Sequence, residues 1–232
     1  MKVALLSHVG KEYPNSKILS LEMDLIPVLV RMQKEGILID QKKLREIGEN
    51  LRASIRKIET EVRELVGENI NLSSPKQVAE LLQRLGIPLT KKNKTGFSVD
   101  TDVLEELAGK HDIARLILDH RSYSKLVSTY VDALLKSVNP TTKRVHTHYN
   151  QIGASTGRMS SEDPNLQNIP TGSGYAHKIK SYFIPKNGSV LLVADYSQIE
   201  LRILAFLSGD PALRETFIRG EDIHARTAHF LF

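Results

Sequence analysis

The chain has 232 residues, 41% of them hydrophobic and 25% charged, with 32 Lys and Arg against 27 Asp and Glu and a formal net charge of +5. Its length and apolar content allow one large domain or two small ones with real cores, and they exclude a disordered polymer. With no cysteine there is neither a disulfide framework nor a thiolate metal site; no apolar run reaches membrane-spanning length, and the basic excess favours a polyanionic partner.

The opening Met1-Lys2-Val3-Ala4-Leu5-Leu6 is too short an apolar stretch for a secretory signal, so a cytoplasmic location without a membrane partner is expected. A helix is predicted over residues 20–35, with Leu21, Leu25, Val28, Leu29 and Met32 on one face, Pro27 inside and Gly36 at its end. Residues 36–40 read as a short strand. A long amphipathic helix follows, in which Leu44, Ile47, Leu51, Ile55, Ile58, Val62 and Leu65 recur at three- and four-residue steps up to Gly67. Ser74-Pro75-Lys76-Gln77 opens the next helix with a cap, a first-turn proline and a capping-box glutamine. Lys91, Lys92 and Lys94 make a basic loop; a short helix over 101–108 and a long one over 112–138 complete a mostly helical region in which no sheet is obvious.

The pattern changes at Asn139-Pro140. Residues 146–151 alternate like a strand, 153–174 form a loop rich in Gly, Ser, Asn and Pro, and strands are expected over 180–184 and 189–194. Helices are expected over 197–208, 211–218 and 222–232. Four constellations stand out, the first joining Asp195 and Glu200. Val190-Leu191-Leu192-Val193-Ala194 ends in Asp195, which places a carboxylate at the end of a buried strand, a natural hard-metal ligand. Ser197-Gln198-Ile199-Glu200 fits a capping box, so Glu200 has a local role open to it. The loop from Thr156 to Pro170 offers Arg158, Gln167 and Asn168 as donors of the kind that meet minor-groove acceptors. Arg121, Lys125 and Ser128 share a helix face suited to tracking phosphates, or simply a solvated one. His224, after Asp222-Ile223, sits in a first helical turn where free amides favour anions.

In this order the motifs resemble the bacterial DNA polymerase I family, the family A DNA polymerases. Thr156-Gly157-Arg158 through Asn165-Leu166-Gln167-Asn168-Ile169-Pro170 resembles the family's signature loop, and Asp195-Tyr196-Ser197-Gln198-Ile199-Glu200-Leu201-Arg202 its first catalytic carboxylate motif. Ser124-Lys125-Leu126-Val127-Ser128-Thr129-Tyr130 is similar to the end of its thumb, and Asp222-Ile223-His224 to the entry into its fingers. The resemblance implies an α+β fold: a linker remnant and first palm element over 1–40, a helical thumb over 41–140, an incomplete antiparallel palm sheet over 141–205 and the first fingers helices over 206–232. It also implies template-directed DNA synthesis, with primer-template DNA and a deoxynucleoside triphosphate as partners and two Mg2+ ions as cofactors.

Carried over position by position, Asp195 and the carbonyl of Tyr196 would bind metal, and Glu200 would close over the sugar. Arg158 would act at the primer end. His224, Tyr196 and Gln198 would meet the incoming nucleotide. Gln167 and Asn168 would hold the template-primer near the site, while Arg121, Lys125, Ser128 and Tyr130 would touch the duplex backbone. The family's second metal-binding aspartate and its triphosphate-gripping helix have no counterpart before Phe232, and neither an exonuclease nor a 5′-nuclease domain is expected. These 232 residues alone are therefore expected to be inactive. A second chain carrying the missing palm and fingers is one expected partner; a non-catalytic nucleic-acid-binding protein is the alternative that leaves Asp195 and Glu200 without purpose.

Overall fold

The computed structural model describes residues 17–93, 96–170 and 174–231, which fall into two compact units dividing at Ser189 and Val190. The expectation for Met1 to Leu6, and Lys94 of the basic loop, lie outside the described residues.

In the first unit, helix α1 (Lys17–Glu35) contains Pro27 and buries Leu29. It stops at Gly36, whose φ of +61° suits glycine and where a Cβ would meet the Val145 carbonyl oxygen at 2.6 Å. Strand β1 (Ile37–Ile39) follows at once. Asp40 then accepts a hydrogen bond from the Lys43 amide at 3.0 Å and starts α2 (Gln41–Val66), which Gly67 closes in the left-handed conformation. Most of the predicted apolar stripe is buried: Leu44, Ile47, Leu51, Ile58 and Val62 are in the core, Ile55 is half-buried, and Leu65, in the last turn, is 62% exposed.

Because α2 is 26 residues long it serves two cores. Ile58 and Val62 pack in a distal one with Leu72, Val78, Leu82 and Leu104. Leu44, Ile47 and Leu51 pack in a proximal one with Ile39, Val131, Val145 and Ile179. The distal core is built by α3 (Pro75–Arg84), α4 (Thr101–Ala108) and α5 (Asp112–Lys125). Ser74 caps α3 as expected, but Gln77 accepts from the Asn71 amide at 2.8 Å instead of closing a box onto Ser74.

Two expectations for this region need correction. β1 forms inside the short strand expected over residues 36–40, but sheet is also present where none was obvious: the antiparallel hairpin of β2 (Lys92–Asn93) and β3 (Gly96–Phe97). Such two- and three-residue strands are too short for an alternating pattern to register. The long helix predicted over 112–138 is also not uniform. After α5 the chain runs through a π-helical segment, Leu126–Asp132, and ends in α6 (Ala133–Lys136). Gly48 faces this segment so closely that a Cβ would lie 2.8 Å from Val131 Cγ1.

Strands β4 (Arg144–Val145) and β7 (Phe183–Ile184) flank β1 in an antiparallel sheet ordered β4-β1-β7, while β5 (His148–Asn150) pairs with β6 (Ser160–Glu162). The expected strand over 180–184 is therefore mostly wrong: residues 175–181 form α7 (Tyr175–Ser181), which buries Ile179 in the proximal core, and only Phe183 and Ile184 pair. The fold class is α+β, dominated by helix, as expected.

The second unit holds α8 (Ile199–Ser208), α9 (Pro211–Ile218) and α10 (Ile223–Leu231), close to their predicted limits. Asp210 caps α9 by accepting from the Leu213 amide at 2.8 Å, with Pro211 at the first helical position. Arg226 of α10 donates to Thr216 Oγ1 of α9 at 2.8 Å, and the Arg202 guanidinium of α8 lies 4.7 Å from the centre of the Phe217 ring. The strand expected over 189–194 does not form. No residue from 190 to 194 pairs in a sheet among the described residues, and Val190, Leu192 and Val193 are 86–91% exposed. A β-branched run has high strand propensity, but without a neighbouring strand its backbone gains no ladder.

Candidate nucleic-acid and nucleotide site

The polar loop of the first unit is pinned from below by one hydroxyl. Thr147 is buried between β4 and β5, and its Oγ1 lies 2.7 Å from Ser161 Oγ, 2.9 Å from the Glu162 carbonyl oxygen and 2.8 Å from that of Pro164. Ser161 Oγ in turn accepts from the Leu166 amide at 3.0 Å. Asn165 Oδ1 accepts from the Gln167 amide at 3.0 Å, and Gln167 Nε2 donates to the Met159 carbonyl at 3.1 Å. Gln167 is thus joined to the residue beside Arg158. Both side chains, with Asn168, face solvent. Sequence reasoning missed Thr147 and Ser161: a threonine and a serine among many polar residues show their burial only once the strands pair.

On α5 and the π-helical segment, Lys125 and Ser128 are exposed, and Ser128 Oγ donates to the Ser124 carbonyl at 2.9 Å. Tyr130 packs partly against the proximal core. Arg121 departs from the expected exposed face. It is half-buried, its Nη1 donates to the Val99 carbonyl at 2.6 Å and its Nε to that of Leu72 at 3.4 Å. Burial pulls its pKa down and nearby Asp100 pulls it back up; an arginine stays protonated regardless.

In the second unit, Asp195 and Tyr196 are exposed on the stretch leading to α8. The sequence places Asp195 at the end of a buried strand; the structure places it on an exposed segment that pairs in no sheet among the described residues. The capping box is corrected as well. Gln198, left-handed at φ 53° and ψ 41°, is the N-cap of α8, so Glu200 is the second helical residue and not the third that a capping box requires. His224 stands exposed in the first turn of α10. Asp222 Oδ1 accepts from the His224 amide at 2.7 Å and the Ala225 amide at 3.1 Å. The Ala225 and His224 amides hold its carboxyl below the usual range.

Among the described residues no group of three or more His, Asp and Glu gathers as a metal cage. Asp195 with the Tyr196 carbonyl fits one side of a Mg2+ site, because that ion is held by one or two carboxylates together with waters and substrate phosphates.

Residues 41–232, the whole span from α2 to α10, match the family model described as DNA polymerase family A. The chain belongs to DNA polymerase family A. Among family A relatives it is 46% identical over 214 residues to DNA polymerase I of Caldicellulosiruptor bescii, covering 92% of this chain and 25% of the relative. It is also 46% identical over 214 residues to DNA polymerase I of Bacillus subtilis, covering 91% and 24%. A solved structure described as the POL domain of Pol1 from M. smegmatis in complex with DNA primer-template and dNTP superimposes with a TM-score of 0.85 at 38% identity, over 96% of this chain and 40% of that one. The chain thus spans about a quarter of the length of these curated family A relatives.

Proposed function

We propose that this chain is part of a DNA-directed DNA polymerase that adds nucleotides from dNTPs to a primer 3′-hydroxyl. The observation that carries this reading is the similarity of the fold, at a TM-score of 0.85, to a family A polymerase domain held with primer-template DNA and dNTP. In this reading residues 41–140 are the thumb, 141–205 part of the palm and 206–232 the start of the fingers.

The two exposed surfaces of the first unit have separate tasks. Lys125, Ser128 and Tyr130 follow the duplex backbone, where charge gives affinity without reading sequence. Arg158, Gln167 and Asn168 lie on a loop already fixed by Thr147, and their donors suit the acceptors that every base pair presents in the minor groove. Asp195 and the Tyr196 carbonyl hold Mg2+. That ion, when bound, lowers the pKa of the attacking hydroxyl and neutralises charge on the transferring phosphate. Glu200, in the first turn of the helix that follows Asp195, borders the sugar. His224, Tyr196 and Gln198 orient the triphosphate; because Asp222 already takes the His224 and Ala225 amides, α10 contributes through the exposed His224 side chain. The exposed run Val190 to Val193 supports coverage of this segment by further polypeptide, either a continuation of the chain or a second chain.

Fluorescence anisotropy tests the binding half. The 232-residue polypeptide retains a labelled primer-template in low salt, with affinity falling steeply as salt rises, and does not extend it. Failure to retain the duplex at any salt overturns the reading. For the catalytic half, Asp195→Asn in the polymerase assembled with its remaining palm and fingers lowers magnesium-dependent extension roughly 10²-fold or more. Undiminished extension would remove Asp195 from the site.

A further inference from the structure

The inward turn of Arg121 is unusual for a residue expected on a duplex-facing surface. Its Nε and Nη1 serve the carbonyls of Leu72 and Val99, and its Nη2 is buried without a hydrogen-bond partner. Leu72 and Val99 are themselves 2% and 3% exposed, so water has little access to those carbonyls. Buried carbonyls need donors, and one guanidinium supplies both.

Those two contacts join three separate stretches of chain. Leu72 lies on the approach to α3, Val99 just after β3, and Arg121 in α5. Next to Val99, the fully buried Ser98 donates its amide to the Lys91 carbonyl at 2.8 Å and closes the base of the β2–β3 hairpin. Its hydroxyl donates to the Asp100 carboxylate and accepts from the Asp100 amide at 3.3 Å, which ties the base of the hairpin to the start of α4. The hairpin carries Lys91 and Lys92 into solvent, with Lys92 Nζ 4.9 Å from the centre of the Phe97 ring. One turn further along α5 stands the exposed Lys125.

We propose that Arg121 is a positioning residue for duplex binding: it touches no phosphate itself but holds the basic β2–β3 hairpin in fixed register against α5, the helix that presents Lys125. The inference rests on the primer-template reading given above. It divides the labour between charge and geometry. At Lys125 any cation in the same place does the same work. At Arg121 the work is the fork, since two carbonyls lying in different directions need a planar donor with several N–H groups. A lysine is a single point that serves one carbonyl and leaves the other unmet.

Two measurements on the whole chain test this. Hydrogen exchange without DNA reads the positioning directly. In Arg121→Lys and in Arg121→Gln the Ser98 amide and its hairpin neighbours exchange faster, while the β1 amides keep their wild-type protection. Salt-dependent anisotropy with a fluorescein-labelled primer-template reads the consequence. Lys91→Ala with Lys92→Ala lowers the slope of log K against log salt by about 1.8, that is about 0.9 per lost phosphate contact. Arg121→Lys lowers it as much as Arg121→Gln does, and adding the two hairpin changes to Arg121→Lys gives no further fall. Unaltered Ser98 protection in both Arg121 variants, or a wild-type slope restored by lysine, overturns this inference alone. A wild-type chain that never retains the duplex overturns the primer-template reading, and this inference falls with it.

Discussion

Asp40 and Asp222 show how single carboxylates set the geometry around them. Each starts a helix by accepting backbone amides, and each is held below the usual carboxylate range, chiefly by those amides: Lys43 for Asp40, and Ala225 with His224 for Asp222. A folded pKa below the unfolded one means that the stabilisation is present above the unfolded value and is lost as pH falls through the folded one. For Asp40 it is therefore complete at neutral pH and declines below about 3.9, the ordinary aspartate value. Asp40→Asn, which keeps an acceptor but cannot ionise, should flatten the dependence of melting temperature on pH between 5 and 3. Parallel melting curves for variant and parent across that range would show that Asp40 contributes nothing there. At the same scale lies Gln198, where the sequence misled. Serine, glutamate and the right spacing promised a capping box, but the left-handed backbone at Gln198 delays the helix by one residue, and no local pattern encodes that turn.

Among the elements, the Arg158 loop depends on a hydroxyl that lies outside it. Thr147, 14 residues before Ser161, supplies the hydroxyl on which the loop is folded. Thr147→Val preserves shape and removes that hydroxyl. It should cost about 1–3 kcal/mol in urea denaturation, because buried polar groups of the loop lose a partner, and it should weaken primer-template binding even though Thr147 faces away from solvent. Stability and affinity both unchanged would mean that the loop holds itself. Elements carrying their own stripes and boundary residues were legible in the sequence: α2 follows the strand read over 36–40 and closes at Gly67, and α3, α4 and α9 begin near Ser74, Thr101 and Pro211 as expected. Elements that depend on a neighbour were not. The β2–β3 hairpin rests on two-residue strands too short to show alternation, the β4-β1-β7 sheet on strands of two or three residues whose partners lie far along the chain, and α7 on a core whose other residues are distant in sequence. The converse error was the run from Val190 to Ala194, where local propensity promised a strand that has no partner among the described residues. For the site, residue identities and order were legible, whereas the inward turn of Arg121 was not, because it is dictated by two carbonyls 49 and 22 residues away.

For the molecule as a whole, α2 is a shared spine, buried at one end in the proximal core and at the other in the distal core. Leu51 and Leu82, both fully buried, belong to different cores. Leu51→Ala and Leu82→Ala should each cost about 2–5 kcal/mol in chemical denaturation. Two transitions in which each variant shifts only one would show that the cores melt separately; a single shifted transition would show that α2 couples them. The second unit is different in character, with Leu192, Phe206 and Leu207 at 91%, 81% and 74% exposure. An apolar surface of that kind promotes association, so sedimentation velocity on the isolated chain should give a weight-average mass that climbs with concentration, and a constant monomer would refute this.

The π-helical segment between α5 and α6 adds a consequence for chain length. Wider than an α-helix, it accommodates about one more residue per turn, and it lies where the helix passes Gly48 in the proximal core. Losing a single residue from it can return that turn to α geometry without breaking either hydrophobic face, whereas one lost from the middle of α2 rotates everything beyond it by about 100°. In a deletion scan scored by soluble yield, residues 126–132 should tolerate the loss of one position where residues 50–58 do not. The segment is thus a built-in slack, a place where the helix can change length while the surfaces on either side keep their aim.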